Sequence, residues 1–164
     1  MNAAHLHLII NHAPVIGALF VLPLVIWAHY SKRIELVRLT LATFIGIAVT
    51  AVVVYVTGEP AEHVVEHLPG VAEASVEAHE AAAAVSLGLS TALGILGLFG
   101  LWRLRAAAKV PRWLATGALV GAFTVALSMA WTANLGGLIR HPETAGGFAP
   151  GQHEMSEGTR AGGN

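Results

Sequence analysis

The chain has 164 residues, 55% of them hydrophobic and 12% charged, with a formal net charge of −1. Ordinary soluble domains carry roughly 25% charged residues, and one this short has too little interior to bury so much apolar surface; the composition fits a lipid bilayer, and the near-zero charge excludes a nucleic-acid partner. The absence of cysteine excludes disulfides, thiolate metal sites, iron–sulfur clusters and covalently attached haem.

Four apolar segments are each long enough to cross about 30 Å of hydrocarbon, which takes about 20 helical residues. The first is predicted at Leu6–Tyr30. No Lys or Arg precedes it and Lys32-Arg33 follow it, the reverse of a cleavable leader, so it is expected to remain as an anchor. His5 and His12 are seven residues apart and so share a helix face. Pro14 offers no N–H to the carbonyl of Ile10, and Asn11 adds an amide, which makes Asn11-His12-x-Pro14 a polar point in an apolar helix.

The second span is predicted at Leu39–Val56, with Gly58-Glu59-Pro60 expected to end it. A short amphipathic helix, Ala61–Leu68, is expected to follow, lying on the membrane and stopped by Pro69-Gly70. Its His63 and His67 stand at i, i+4, the spacing of helical two-histidine metal sites, beside Glu62 and Glu66. From about Ala72 the chain is expected to run as one helix into the third span, His79–Trp102. Glu73, Glu77 and Glu80 continue an acidic face there, partly explained by the positive helix end, and His79-Glu80 opens onto a run of small alanines. Ser86, Ser90 and Gly94 recur at i, i+4, i+8, a face for close helix packing. The fourth span is predicted at Trp113–Ile139, with a Gly117-Gly121 pair, and leads to Arg140-His141. Residues 1–143 thus read as the membrane domain, and 144–164 as a flexible Gly-rich tail.

The short connections Ser31–Arg38 and Arg103–Arg112 hold Lys32, Arg33, Arg38, Arg103, Arg105, Lys109 and Arg112, flanked by Trp27, Tyr30, Trp102 and Trp113. By the positive-inside rule these face the cytoplasm, so the expected fold is an all-α four-helix transmembrane bundle in the cytoplasmic membrane with both termini outside. His5, His7, His12, His63, His67, His79, His141 and His153 then fall at the outer end, leaving only His29 inside; Glu35 is likewise the one inner glutamate. No span carries a charge near its middle, so the chemistry is expected at the outer interface.

Through Asn11-His12-x-Pro14, Gly58-Glu59-x-Ala61, Leu68-Pro69-Gly70, His79-Glu80 and Gly137-x-x-Arg140-His141, the chain resembles a widespread family of bacterial four-helix membrane proteins of unknown function. The resemblance covers most of Met1–Glu143 and implies the four-span architecture without an activity. A looser likeness is to four-helix b-type cytochromes, which hold haem between histidines of facing helices, usually inside the spans rather than at one end.

Three functions are compatible with this pattern. The first is an electron-transfer subunit with a b-type haem near the outer face, ligated by His12 with His79 or His141, with Arg140 on a propionate. The second is a non-haem Fe or Zn site drawn from His5, His12, His63, His67, His79, Glu80 and His141. The third is a cofactor-free accessory subunit of a larger membrane complex. Beyond the bilayer, the expected partner is a redox protein or such a complex. No nucleophile–base–acid set or phosphate loop supports a hydrolase or nucleotide enzyme.

Overall fold

The computed structural model describes residues 3–65, 71–106 and 109–140, without the side chains of 3, 4, 63–65 and 140. All secondary structure among them is helical: α1 (Ala3–Ile10), α2 (His12–Ser31), α3 (Ile34–Val65), α4 (Glu73–Arg103) and α5 (Arg112–Arg140). Four helical segments, His5–Ser31, Ile34–Glu62, Glu73–Arg103 and Arg112–Ile139, are long and apolar enough to cross a membrane. The protein is therefore built as a multi-pass membrane protein. Its large exposed side chains, among them Phe20, Ile95, Leu127 and Trp131, suit contact with lipid.

The hydrogen-bond ladder of the first span lapses at Asn11, between α1 and α2, while the backbone there stays helical (φ −59°, ψ −27°). The cause is local: Pro14 has no N–H for the Ile10 carbonyl, and its ring crowds that carbonyl. α1 packs on α3, while α2 packs between α3 and α5.

Around the bundle, α2, α3, α4 and α5 pack in ring order, each against its two neighbours. The closest approach is α3 against α4. A Cβ on Gly97 would lie 2.5 Å from the Leu41 carbonyl oxygen, so only glycine lets these two backbones meet. The Gly94-Gly97-Gly100 face is filled by Leu41, Phe44, Ile45 and Ala48 of α3, not by space for a flat cofactor.

Two expectations about the second connection change. Gly58-Glu59-Pro60 does not end the second span: α3 runs through it as one helix to Val65. The separate amphipathic helix at Ala61–Leu68 is therefore, up to Val65, the end of α3, and residues 66–68 lie outside the described residues. Pro60 leaves the Val56 carbonyl without its helical donor, yet the helix continues for five residues beyond it.

The core is concentrated toward the basic end. Phe44, Leu41, Leu104 and Leu114 are its largest fully buried side chains, and all lie in the half of the bundle nearer the basic connections. On α5 the last buried residue is Met129. Toward the histidine-rich end the interior positions Thr132, Gly136, Ala82 and Ala83 are only half-buried. There α1 makes no close backbone contact with α4 or α5 among the described residues, so the bundle is less tightly closed at that end.

Candidate functional site

Two histidines project into this looser end from diagonally opposed helices. His7 of α1 is half-buried, with Nδ1 3.1 Å from the Val54 carbonyl oxygen and 3.3 Å from the Thr57 hydroxyl, both on α3. His79 of α4 is half-buried, with Nδ1 3.0 Å from the Thr132 carbonyl oxygen on α5. A carbonyl only accepts, so each Nδ1 carries a proton, and in the neutral tautomer that this selects the lone pair is on Nε2. This is the arrangement of a metal-ligating histidine, in which a backbone carbonyl fixes the tautomer and turns Nε2 toward the metal.

The two seats match. Each histidine bonds a carbonyl located four residues before a glycine on the neighbouring helix: Val54 with Gly58, and Thr132 with Gly136. In an α-helix the Cβ of residue i+4 leans back toward the carbonyl of residue i, so a glycine there opens that carbonyl to an incoming ring. The close contact is at His79: a Cβ on Gly136 would lie 3.0 Å from His79 Cε1, whereas one on Gly58 would make only an ordinary contact with His7 Cε1, at 3.5 Å. In its carbonyl bond, though not in that contact, the first hairpin holds its histidine as the second hairpin does.

Below His79 a hydroxyl ladder joins α4 to α5. Ser86 Oγ is 2.8 Å from Thr132 Oγ1 and 2.5 Å from Ser128 Oγ, while Ser90 donates to the Ser86 carbonyl at 2.7 Å. Ser86 and Ser90 are buried, and every buried side-chain polar atom among the described residues has a partner. The Ser86 bonds to Ser128 and Thr132 fix the register of α4 on α5, since sliding by one turn would disrupt them and lift His79 from Thr132. Inward of Ser90 the core is apolar, with Leu93 and Val125, so the ladder does not continue across the bundle.

The residues singled out from sequence are distributed unevenly about this pair. His79 is at its centre. His12 is exposed, with its ring Nδ1 paired to the neighbouring Asn11 Oδ1, and His5 is exposed as well. Glu80 is exposed beside His79, as are Glu73 and Glu77. Arg140 ends α5 and His63 lies near the end of α3, their side chains outside the described residues, as are His67, His141 and His153 altogether. At the basic end His29 Nδ1 bonds the Ala115 carbonyl at 3.3 Å, beside a small cleft with about 10 Å³ of water-sized space, room for about one water.

The residue not chosen from sequence is His7. Its signal was present in the repeated pairing of a histidine near one end of each hairpin with a glycine on the partner helix. Reading Gly58 as a helix terminator concealed it. Among the described residues no group of three or more His, Cys, Asp or Glu side chains gathers as a metal site.

Comparison of the chain with protein-family models, with curated proteins and with solved structures finds no match.

Proposed function

We propose that the protein is a membrane electron-transfer subunit that carries a b-type haem between His7 and His79, near the outer face of the cytoplasmic membrane. The supporting observation is the pair itself: two histidines on opposed helices, each with Nδ1 tied to a backbone carbonyl and the lone pair of the neutral tautomer on Nε2. A haem could be held by two histidines, and this pair would supply both without a third residue. When bound, the haem supplies a one-electron carrier with a potential set by its ligands and surroundings. The chain contributes the rest. Val54 and Thr132 hold the ring tautomers through their carbonyls, Gly136 makes room for the His79 ring, and Ser86 with Thr132 keeps α4 and α5 in register. The exposed Glu59, Glu73, Glu77 and Glu80 give this end an acidic rim for a basic redox partner.

The seven Lys and Arg in the two short connections support the proposed orientation, with that end in the cytoplasm and both termini outside. A non-haem Fe or Zn site is the second reading, and it needs a third protein ligand beside the pair. A visible spectrum of protein purified from haem-sufficient cells, with elemental analysis, tests the proposal. The expected result is a Soret band that moves on dithionite reduction, with one iron per haem. Colourless protein holding stoichiometric metal would replace haem with the second reading, and protein with neither would leave an accessory role.

A further inference from the structure

The strongest charged surface lies at the opposite end from the histidine pair, and it is assembled by two bonds between helices. Arg38 at the start of α3 donates from its guanidinium to the Leu104 carbonyl at 2.6 Å, just past the end of α4. His29 near the end of α2 donates to the Ala115 carbonyl in the first turn of α5. These bonds draw the two short connections together. Lys32, Arg33, Arg38, Arg103, Arg105, Lys109 and Arg112 are all exposed there, with Glu35 as the one carboxylate nearby. Exposed Trp27, Tyr30, Trp102 and Trp113 stand one residue or a few along the chain from these cations, at the depth where aromatic rings meet lipid headgroups.

We infer that this end binds an anionic phospholipid through its phosphate groups, with a lipid bearing two phosphodiesters bridging the two connections. Three features carry the inference. The cations sit at the ends of membrane spans, so the anion that meets them is one held at the membrane surface. They come from both connections, tied by the Arg38–Leu104 bond, so one phosphate can be met from each side. A guanidinium has five N–H donors, and Arg38 spends one on Leu104, leaving others for phosphate oxygens. A soluble anion has the same charge but lacks the surface concentration and the acyl chains that hold a lipid beside the aromatic belt.

Native mass spectrometry of the full chain from detergent, with added diphosphatidylglycerol, phosphatidylglycerol or phosphatidylcholine, tests this, alongside thermal unfolding with the same lipids or inorganic phosphate. The expected order of retention is diphosphatidylglycerol, then phosphatidylglycerol, then phosphatidylcholine, and inorganic phosphate at equal concentration leaves the unfolding temperature unchanged. Removing two charges by Arg105→Gln with Lys109→Gln, both exposed in the connection, weakens diphosphatidylglycerol binding roughly 10–30-fold. Arg38→Gln weakens it too, and because that change also removes the Leu104 bond, the loop variant is the cleaner test. Equal retention of phosphatidylcholine, or undiminished selectivity in the loop variant, overturns the inference and leaves the patch to a protein partner. Stabilisation by inorganic phosphate would overturn it in favour of a free anion.

Discussion

Gly136→Ala places a single methyl group between α5 and the His79 ring. The added Cβ lies 3.0 Å from Cε1 and 3.2 Å from Nδ1, against about 3.5–4.0 Å for a relaxed contact. The ring must retreat by about 0.5 Å, which stretches its 3.0 Å bond to the Thr132 carbonyl toward the limit for a hydrogen bond. Losing that bond costs about 0.5–1.5 kcal/mol, and crowding adds about 1–3 kcal/mol. Replacing a helical glycine by alanine returns about 0.5–1 kcal/mol. A net loss of about 1–3 kcal/mol in stability is therefore expected. A larger effect is expected on the cofactor, since loss of a ligand's supporting partner lowers metal affinity about 10–100-fold. Titrating haem into apoprotein and following the Soret band measures this affinity. Gly137→Ala is the control, because its Cβ meets nothing within 4 Å and it adds the same helix propensity. Wild-type affinity in Gly136→Ala, or an equal loss in Gly137→Ala, would refute the proposed seat.

Other outcomes follow from the same geometry. Gly58→Ala makes only an ordinary contact with His7, at 3.5 Å, so it is expected to keep haem affinity within about threefold of wild type, well short of a supporting-partner loss. Gly97→Ala forces a Cβ to 2.5 Å from the Leu41 carbonyl oxygen, and backbone cannot rotate aside; thermal unfolding in detergent should show a loss of about 1–3 kcal/mol with an unchanged spectrum per haem bound. Ser86→Ala removes the hydroxyl bonds to Ser128 and Thr132, and is expected to cost about 0.6–1.7 kcal/mol by the same assay. His29→Ala, at the far end, should leave haem content unchanged; a colourless product would place the cofactor at the wrong end of the bundle.

The four spans were legible from sequence because bilayer thickness sets a length that an apolar run meets or misses. That His79 enters the bundle was legible too, since it leads into a run of alanines on an unbroken helix. Which of His5, His7 and His12 meets a neighbouring helix was not. A seven-residue spacing puts His5 and His12 on one helix face, but it does not say which neighbouring helix, if any, that face meets. The seat of His7 is also non-local, since Val54 is 47 residues away along the chain. Gly58 and Pro60 read as terminators because that is their usual effect in water. In α3 the helix continues past them, with Thr57 bonded to the carbonyls of the preceding turn. The Ser86-Ser90-Gly94 face was correctly a packing face, but its hydroxyl partners on α5 could be named only once the register was known.

The most direct measurement compares reduced and oxidised spectra of His7→Ala, His79→Ala and His12→Ala, each purified as the full chain with haem supplied. If His7 and His79 are the axial pair, each of those two variants loses the wild-type six-coordinate spectrum, while His12→Ala retains it. A wild-type spectrum in His7→Ala, or its loss in His12→Ala, would contradict the pairing.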